Sequence, residues 1–184
     1  MERRALIQWL VATAGIQQLE SLELDDLLTL GRDVHRGAGS SRRALSQQAD
    51  RLVDAATDQI IPATDTPGAR AAGVTAFIDK MLSEWYTAEE RERFMAGLPD
   101  LDARAQTRAA HNFVDCAAAD QVAILTALDD EVTALRARDA AAANHHWFAM
   151  LKYLTVYGYC TSEPGMRALG LYPLPGRYEE CATL

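Results

Sequence analysis

The sequence predicts an all-α domain, and three observations carry that expectation. Apolar residues recur at three- and four-residue intervals in one segment after another, the spacing of a single helix face. Short polar residues, one set forming a capping box, stand where those segments would begin. No pair of alternating segments flanks a hairpin turn signal, and no internal repeat recurs along the chain. The expected architecture is a single-domain helical bundle with an extended, proline-rich C-terminal arm. One domain is the default at 184 residues, and a hydrophobic content of 49% is enough for a sizeable core. Two parts are expected: residues 1–43, with N-terminal helices and a polar loop, and residues 44–184, a helical domain carrying the arm.

Residues 1–16 admit two readings. Arg3-Arg4, an apolar run and the Ala-x-Ala of residues 12–14 read as a degenerate twin-arginine export signal. Leu6, Trp9, Leu10 and Thr13 share one helical face, which reads as a packing helix, and Gln8 interrupting the apolar run favours this second reading. Residues 22–34 form the next helix, with Leu24, Leu27, Leu28 and Leu30 apolar; a polar loop is expected over residues 35–41. Residues 44–61 are amphipathic through Leu45, Ala49, Leu52, Val53, Ala56 and Ile60, and Pro62 stops them. Residues 74–85 place Phe77, Ile78, Met81, Leu82 and Trp85 on one side. Thr87 and Glu90 then form the capping box of a helix carrying Phe94, Met95 and Leu98, which ends at Pro99. An Ala-rich helix is expected over residues 101–118, and a long one over residues 120–139 with Val122, Leu125, Leu128, Val132 and Leu135 apolar; residues 140–143 continue it. Asn144 would cap a helix over residues 146–159 that is apolar on most sides, the mark of a core or interface element. From Glu163 onward the proline-rich tail reads as an extended arm with aromatic anchors.

A net charge of −8 makes nucleic acid an unsuitable partner, because phosphate binding needs a basic face. No run of 18 apolar residues exists, so no transmembrane helix is expected. Cys116, Cys160 and Cys181 contain no CxxC pair; Cys116 is expected as a buried thiol, and Cys160 with Cys181 could close a disulfide if the chain is exported. His145 and His146 are adjacent, so on a helix they point about 100° apart and cannot form the one-face pair of an HExxH-type metal site. His35 and His111, the latter four residues before Asp115, read as surface or capping groups. The acidic run Asp129, Asp130 and Glu131 reads as a solvated helix face. Trp147 and Tyr153 read as core rather than as the lining of a cofactor cavity. No nucleophile elbow, phosphate loop or dinucleotide fingerprint is present.

The stretch most informative about function is residues 60–73, a loop with two prolines between two apolar helices. Its Thr64, Asp65 and Thr66 are short polar groups without histidine, cysteine or lysine, suited to fixing backbone and docking a surface. Asp54, Asp58 and Asp79 flank it on apolar-rich helices, where they would cap helix ends or accept loop amide protons; Asp65 is expected to accept backbone bonds within the loop.

The order Ile60-Ile61-Pro62-Ala63-Thr64-Asp65-Thr66-Pro67-Gly68-Ala69, Phe77-Ile78-Asp79, Leu151-Lys152, Leu154-Thr155, Tyr157-Gly158-Tyr159, Thr161-Ser162-Glu163-Pro164-Gly165 and Pro175-Gly176-Arg177-Tyr178 before Cys181 resembles the gluconate 2-dehydrogenase subunit 3 family. These are small subunits of bacterial flavin-dependent sugar and polyol dehydrogenases, and related glycoside 3-dehydrogenases look similar. The resemblance spans about residues 44–182. It implies a helical subunit with no catalytic, cofactor-binding or metal-binding residues of its own. It implies a large partner that resembles the glucose-methanol-choline (GMC) flavoproteins and holds FAD, with a cytochrome c able to accept electrons. The family's small subunit typically carries a twin-arginine signal and escorts the large one, so the resemblance implies a periplasmic complex; without a working Arg3-Arg4 signal the chain would stay cytoplasmic. Cys160 stands where the family often has a second tyrosine. The expected partner interface is Tyr159, Glu163, Tyr172, Pro175, Arg177 and Tyr178. The expected structural loop is Pro62, Thr64, Asp65, Thr66, Pro67 and Gly68. The competing readings are a transient helical export chaperone and a stand-alone metal-dependent enzyme built on His145 and His146.

Overall fold

The structure is a computed structural model that describes residues 24–37 and 44–170. It is all-α, with no strand among the described residues. In chain order the helices are α1 (Leu24–Gly37), α2 (Gln47–Ile60), α3 (Val74–Glu84), α4 (Ala88–Gly97), α5 (Pro99–Ala109), α6 (Ala118–Arg138), α7 (Ala140–Asn144), α8 (Trp147–Thr161) and α9 (Glu163–Ala168), with a 3-10 turn at Phe113–Asp115 between α5 and α6.

α8 is the axis of the bundle. Thirteen of its fifteen residues are buried, so neighbours are needed on every side. α1, α2, α3, α4 and α6 supply them. α3 contributes Phe77, Ile78, Met81 and Leu82, all fully buried. It approaches closely at Gly158, where an added Cβ would come within 2.7 Å of the Phe77 ring. Ser46 caps α2 through the Ala49 amide at 3.2 Å. The Thr87–Glu90 capping box is present, the Thr87 amide donating to Glu90 Oε2 at 2.9 Å.

Several sequence expectations are corrected. The loop expected from His35 begins later, because α1 runs on to Gly37. The helix expected over residues 101–118 breaks at Ala110, whose φ of 57° is left-handed. Phe113 is fully buried; its amide donates to Asp102 Oδ1 at 2.8 Å and its carbonyl accepts from Gln121 Nε2 at 2.8 Å. Seating that ring and bonding its backbone outweighs two more helical turns. Gln121 thereby takes the buried side of α6, while Val122 is 45% exposed. Residues 140–143 form a separate helix because Asp139 is extended and caps the Ala142 amide at 2.9 Å. His146, not Asn144, caps α8: its Nδ1 accepts from the Phe148 amide at 3.2 Å. Trp85 lies just past the end of α3 and is 44% exposed. The arm does not start extended, since residues 163–168 are helical behind the cap Ser162, and Pro164 sits in the first turn where a missing N–H costs nothing. Residues 1–23, with Arg3-Arg4, and residues 171–184 lie outside the described residues.

Candidate functional site

Residues 61–73 leave α2 and re-enter the fold at α3 through a closed base. The Ala69 amide donates to Ile61 O at 2.9 Å, and the Val74 amide to Ala69 O at 3.1 Å. Within the turn the Thr64 amide donates to Thr66 O at 3.0 Å. Gly68 is required by close approach: a Cβ there would lie 2.5 Å from Ala63 N and 2.7 Å from Ile61 O, both backbone atoms that cannot move aside cheaply. Pro62, Thr64, Asp65 and Pro67 are exposed, Thr66 is half-buried, and Gly68 is buried.

The flanking aspartates divide their work differently from expectation. Asp54 and Asp58 hold the Arg70 guanidinium, at 2.9 and 3.1 Å, and Asp54 also accepts the Thr75 hydroxyl at 3.1 Å. Asp79 accepts amide protons, but from Leu45 at 2.7 Å and Ala44 at 3.1 Å, on the strand of chain entering α2. Asp65 accepts only a side-chain bond, from the Thr64 hydroxyl at 2.9 Å, and lies in water.

The far side of the loop is fastened to α8. The Tyr159 hydroxyl donates to Pro67 O at 2.9 Å across 92 residues of sequence. Ser162, two turns of logic in one side chain, donates to Tyr159 O at 2.7 Å and accepts the Gly165 amide at 3.1 Å, which aims α9 back toward the loop. The result is a groove of about 430 Å³. Thr66 and Pro67 form one wall; Glu163, Pro164, Arg167 and Ala168 form the other. Arg167 and Glu163 pair at 2.7 Å on the rim.

Of the expected interface, Tyr159 is therefore buried beneath the groove and Glu163 lines it. Tyr172, Pro175, Arg177 and Tyr178 lie outside the described residues. Pro164, Arg167 and Ala168 were not anticipated as walls; the signal available was Ser162 followed by Glu163-Pro164, a capped helix start.

The remaining candidates serve the scaffold. His35 is not a surface group: its Nε2 donates to Gly158 O at 2.7 Å and its ring packs on Phe77. His146 caps α8, and burial lowers its pKa. Two carboxylates of the acidic run are paired rather than simply solvated, Glu131 with a forked Arg104 at 2.7 and 2.8 Å and Asp129 with Lys152 at 2.6 Å. Trp147 and Tyr153 are core residues. Cys116 and Cys160 are buried thiols, the latter pushed up to about 11 by burial; Cys181 lies outside the described residues. Among the described residues no three His, Cys, Asp or Glu side chains are placed to hold a metal ion. No helix there is long and apolar enough to cross a membrane.

An all-α domain wrapped around one buried helix, with a locked loop and a short capped helix meeting at a surface groove, is the class of protein these elements define. The chain belongs to the gluconate 2-dehydrogenase subunit 3 family, whose profile matches residues 47–176. No curated protein and no solved structure matches the chain.

Proposed function

We propose that the chain is a non-catalytic small subunit that binds and stabilises an FAD-dependent, GMC-type sugar or glycoside dehydrogenase. One observation carries this reading: the family match over residues 47–176 takes in both walls of the groove, and both walls are fastened to α8, the loop by the Tyr159–Pro67 bond and α9 through Ser162. A rigid groove with apolar walls and a charged rim is suited to a protein partner, since docking it orders few side chains. FAD and substrate belong to the large subunit, and electrons leave that subunit to an acceptor such as a cytochrome c. On the same reading the pair works in the periplasm, the chain accompanying its partner through export.

The test is to produce the flavoprotein subunit with and without this chain. The expected result is a stoichiometric complex on size exclusion, with less soluble, less flavinated large subunit when the chain is missing. A large subunit equally soluble, flavinated and active alone would overturn the proposal. Loss of the chain from the finished, active enzyme would point instead to a transient chaperone.

A further inference from the structure

α1 lies ahead of the family-matched residues, yet it packs on their core, against α3 and α8. Gly31 meets Thr161 so closely that an added Cβ would stand 2.5 Å from the threonine Cβ. Val34 is 2% exposed. One turn from the end of α1, His35 Nε2 donates to Gly158 O at 2.7 Å, a carbonyl that also accepts the Ser162 amide at 3.1 Å. The imidazole lies over Phe77, with ring centroids 4.7 Å apart and planes 30° from parallel. Lys80 Nζ sits against Gly37, the last residue of α1.

We infer that α1 is a pH-sensitive clasp, docked on α3 and α8 most firmly while His35 is neutral and loosened when that ring is protonated. Protonation adds an N–H at Nδ1 and a full charge to a ring packed on Phe77, and among the described residues no carboxylate pairs with it. The described ionisable groups around it do not fill that role. On α1, Asp33 pairs with Arg36 at 2.8 Å, and Arg32 is itself cationic. On α3, Asp79 is committed to the amides of Ala44 and Leu45, and Lys80 lies 3.7 Å from Glu84. On α8, Tyr157 stays neutral, its pKa raised by burial. Burial accordingly lowers the His35 pKa from 6.5, and the bond to Gly158 opposes that only in part. With the docked pKa below the free value, undocked α1 takes up the proton first. The His35 contribution to docking is complete above the free-histidine value and is lost as pH falls through the docked value.

Hydrogen exchange of the purified full chain tests this at pH 7.5 and pH 5.5, corrected for intrinsic exchange rates. In wild type, protection of the α1 amides should fall several-fold at the lower pH while the α8 amides keep theirs. His35→Gln, whose amide can still donate to Gly158 O, should remove that response; His146→Gln, at the other histidine with a lowered pKa, should leave it intact. An equal fall in His35→Gln, or no fall in wild type, overturns the clasp. An NMR titration of wild type provides a readout free of any folding defect in the variants: a His35 pKa at or above the free value also overturns it.

Discussion

Asp79 accepts two amide hydrogen bonds from the chain entering α2, and it is 3% exposed. Asp65 lies in water on the loop and bonds one neighbouring hydroxyl. Removing the first carboxylate strands two donors with little access to solvent, and each stranded donor is costly. Asp79→Ala should therefore lower the unfolding free energy by about 2–3 kcal/mol. Asp65→Ala should change it by under about 0.5 kcal/mol, as an exposed surface substitution does. Denaturant melts of the two variants check the pair; similar midpoints would contradict the assignment. Sequence alone placed both near the loop and read both as acceptors of amide protons, which holds for Asp79 and not for Asp65. A side chain's type reveals that it can accept amide protons, whereas the burial that makes those protons depend on it comes from distant packing.

At the scale of elements, α9 shows what one cap can hold. Ser162 Oγ accepts the Gly165 amide and donates to Tyr159 O, so a single hydroxyl starts α9 and closes α8. Ser162→Ala should cost about 1 kcal/mol of stability, the usual loss for an N-cap. Because α9 forms one wall of the groove, the same variant should weaken assembly with the proposed flavoprotein partner, while Ser162→Thr should restore most of both; affinity measured beside the melting temperature separates the two effects. The legible elements share this local character. The Thr87–Glu90 box and the Pro62 stop are decided within a few residues, and the structure has both. The break at residues 110–117 was not legible, because alanine-rich sequence favours helix and the deciding contacts come from Asp102 and Gln121 around a buried Phe113. Leu125, Leu128 and Val132 of α6 are buried as expected, and the first apolar position differs, for the same reason. Val122 looks apolar enough for the core, but Gln121 is the residue whose amide reaches Phe113 O. The groove was half legible: Glu163 and the loop motif stood out, while the wall opposite depends on α9 being a helix at all.

For the whole molecule, the proposed complex makes the rim of the groove a sensitive surface. Arg167 and Glu163 are an exposed pair four residues apart, and such pairs add only about 0.3–0.5 kcal/mol to a fold. Arg167→Glu should accordingly leave the chain's own melting temperature within about a degree or two. Its affinity for the flavoprotein subunit should drop by roughly tenfold or more, the size of effect expected when like charges face a partner across a fitted surface. Unchanged affinity would place the interface elsewhere on the chain. The bond from Tyr159 to Pro67 adds a consequence of another kind. The two walls come from segments about a hundred residues apart, and they face one another only in the finished fold. Any molecule that fills the groove therefore recognises the native chain and ignores the unfolded one. Its binding free energy is added to folding, about 2.7 kcal/mol once it is present at a hundred times its dissociation constant. The melting temperature of this subunit should rise with the concentration of its partner, and half-life in the cell should track how much of that partner is made.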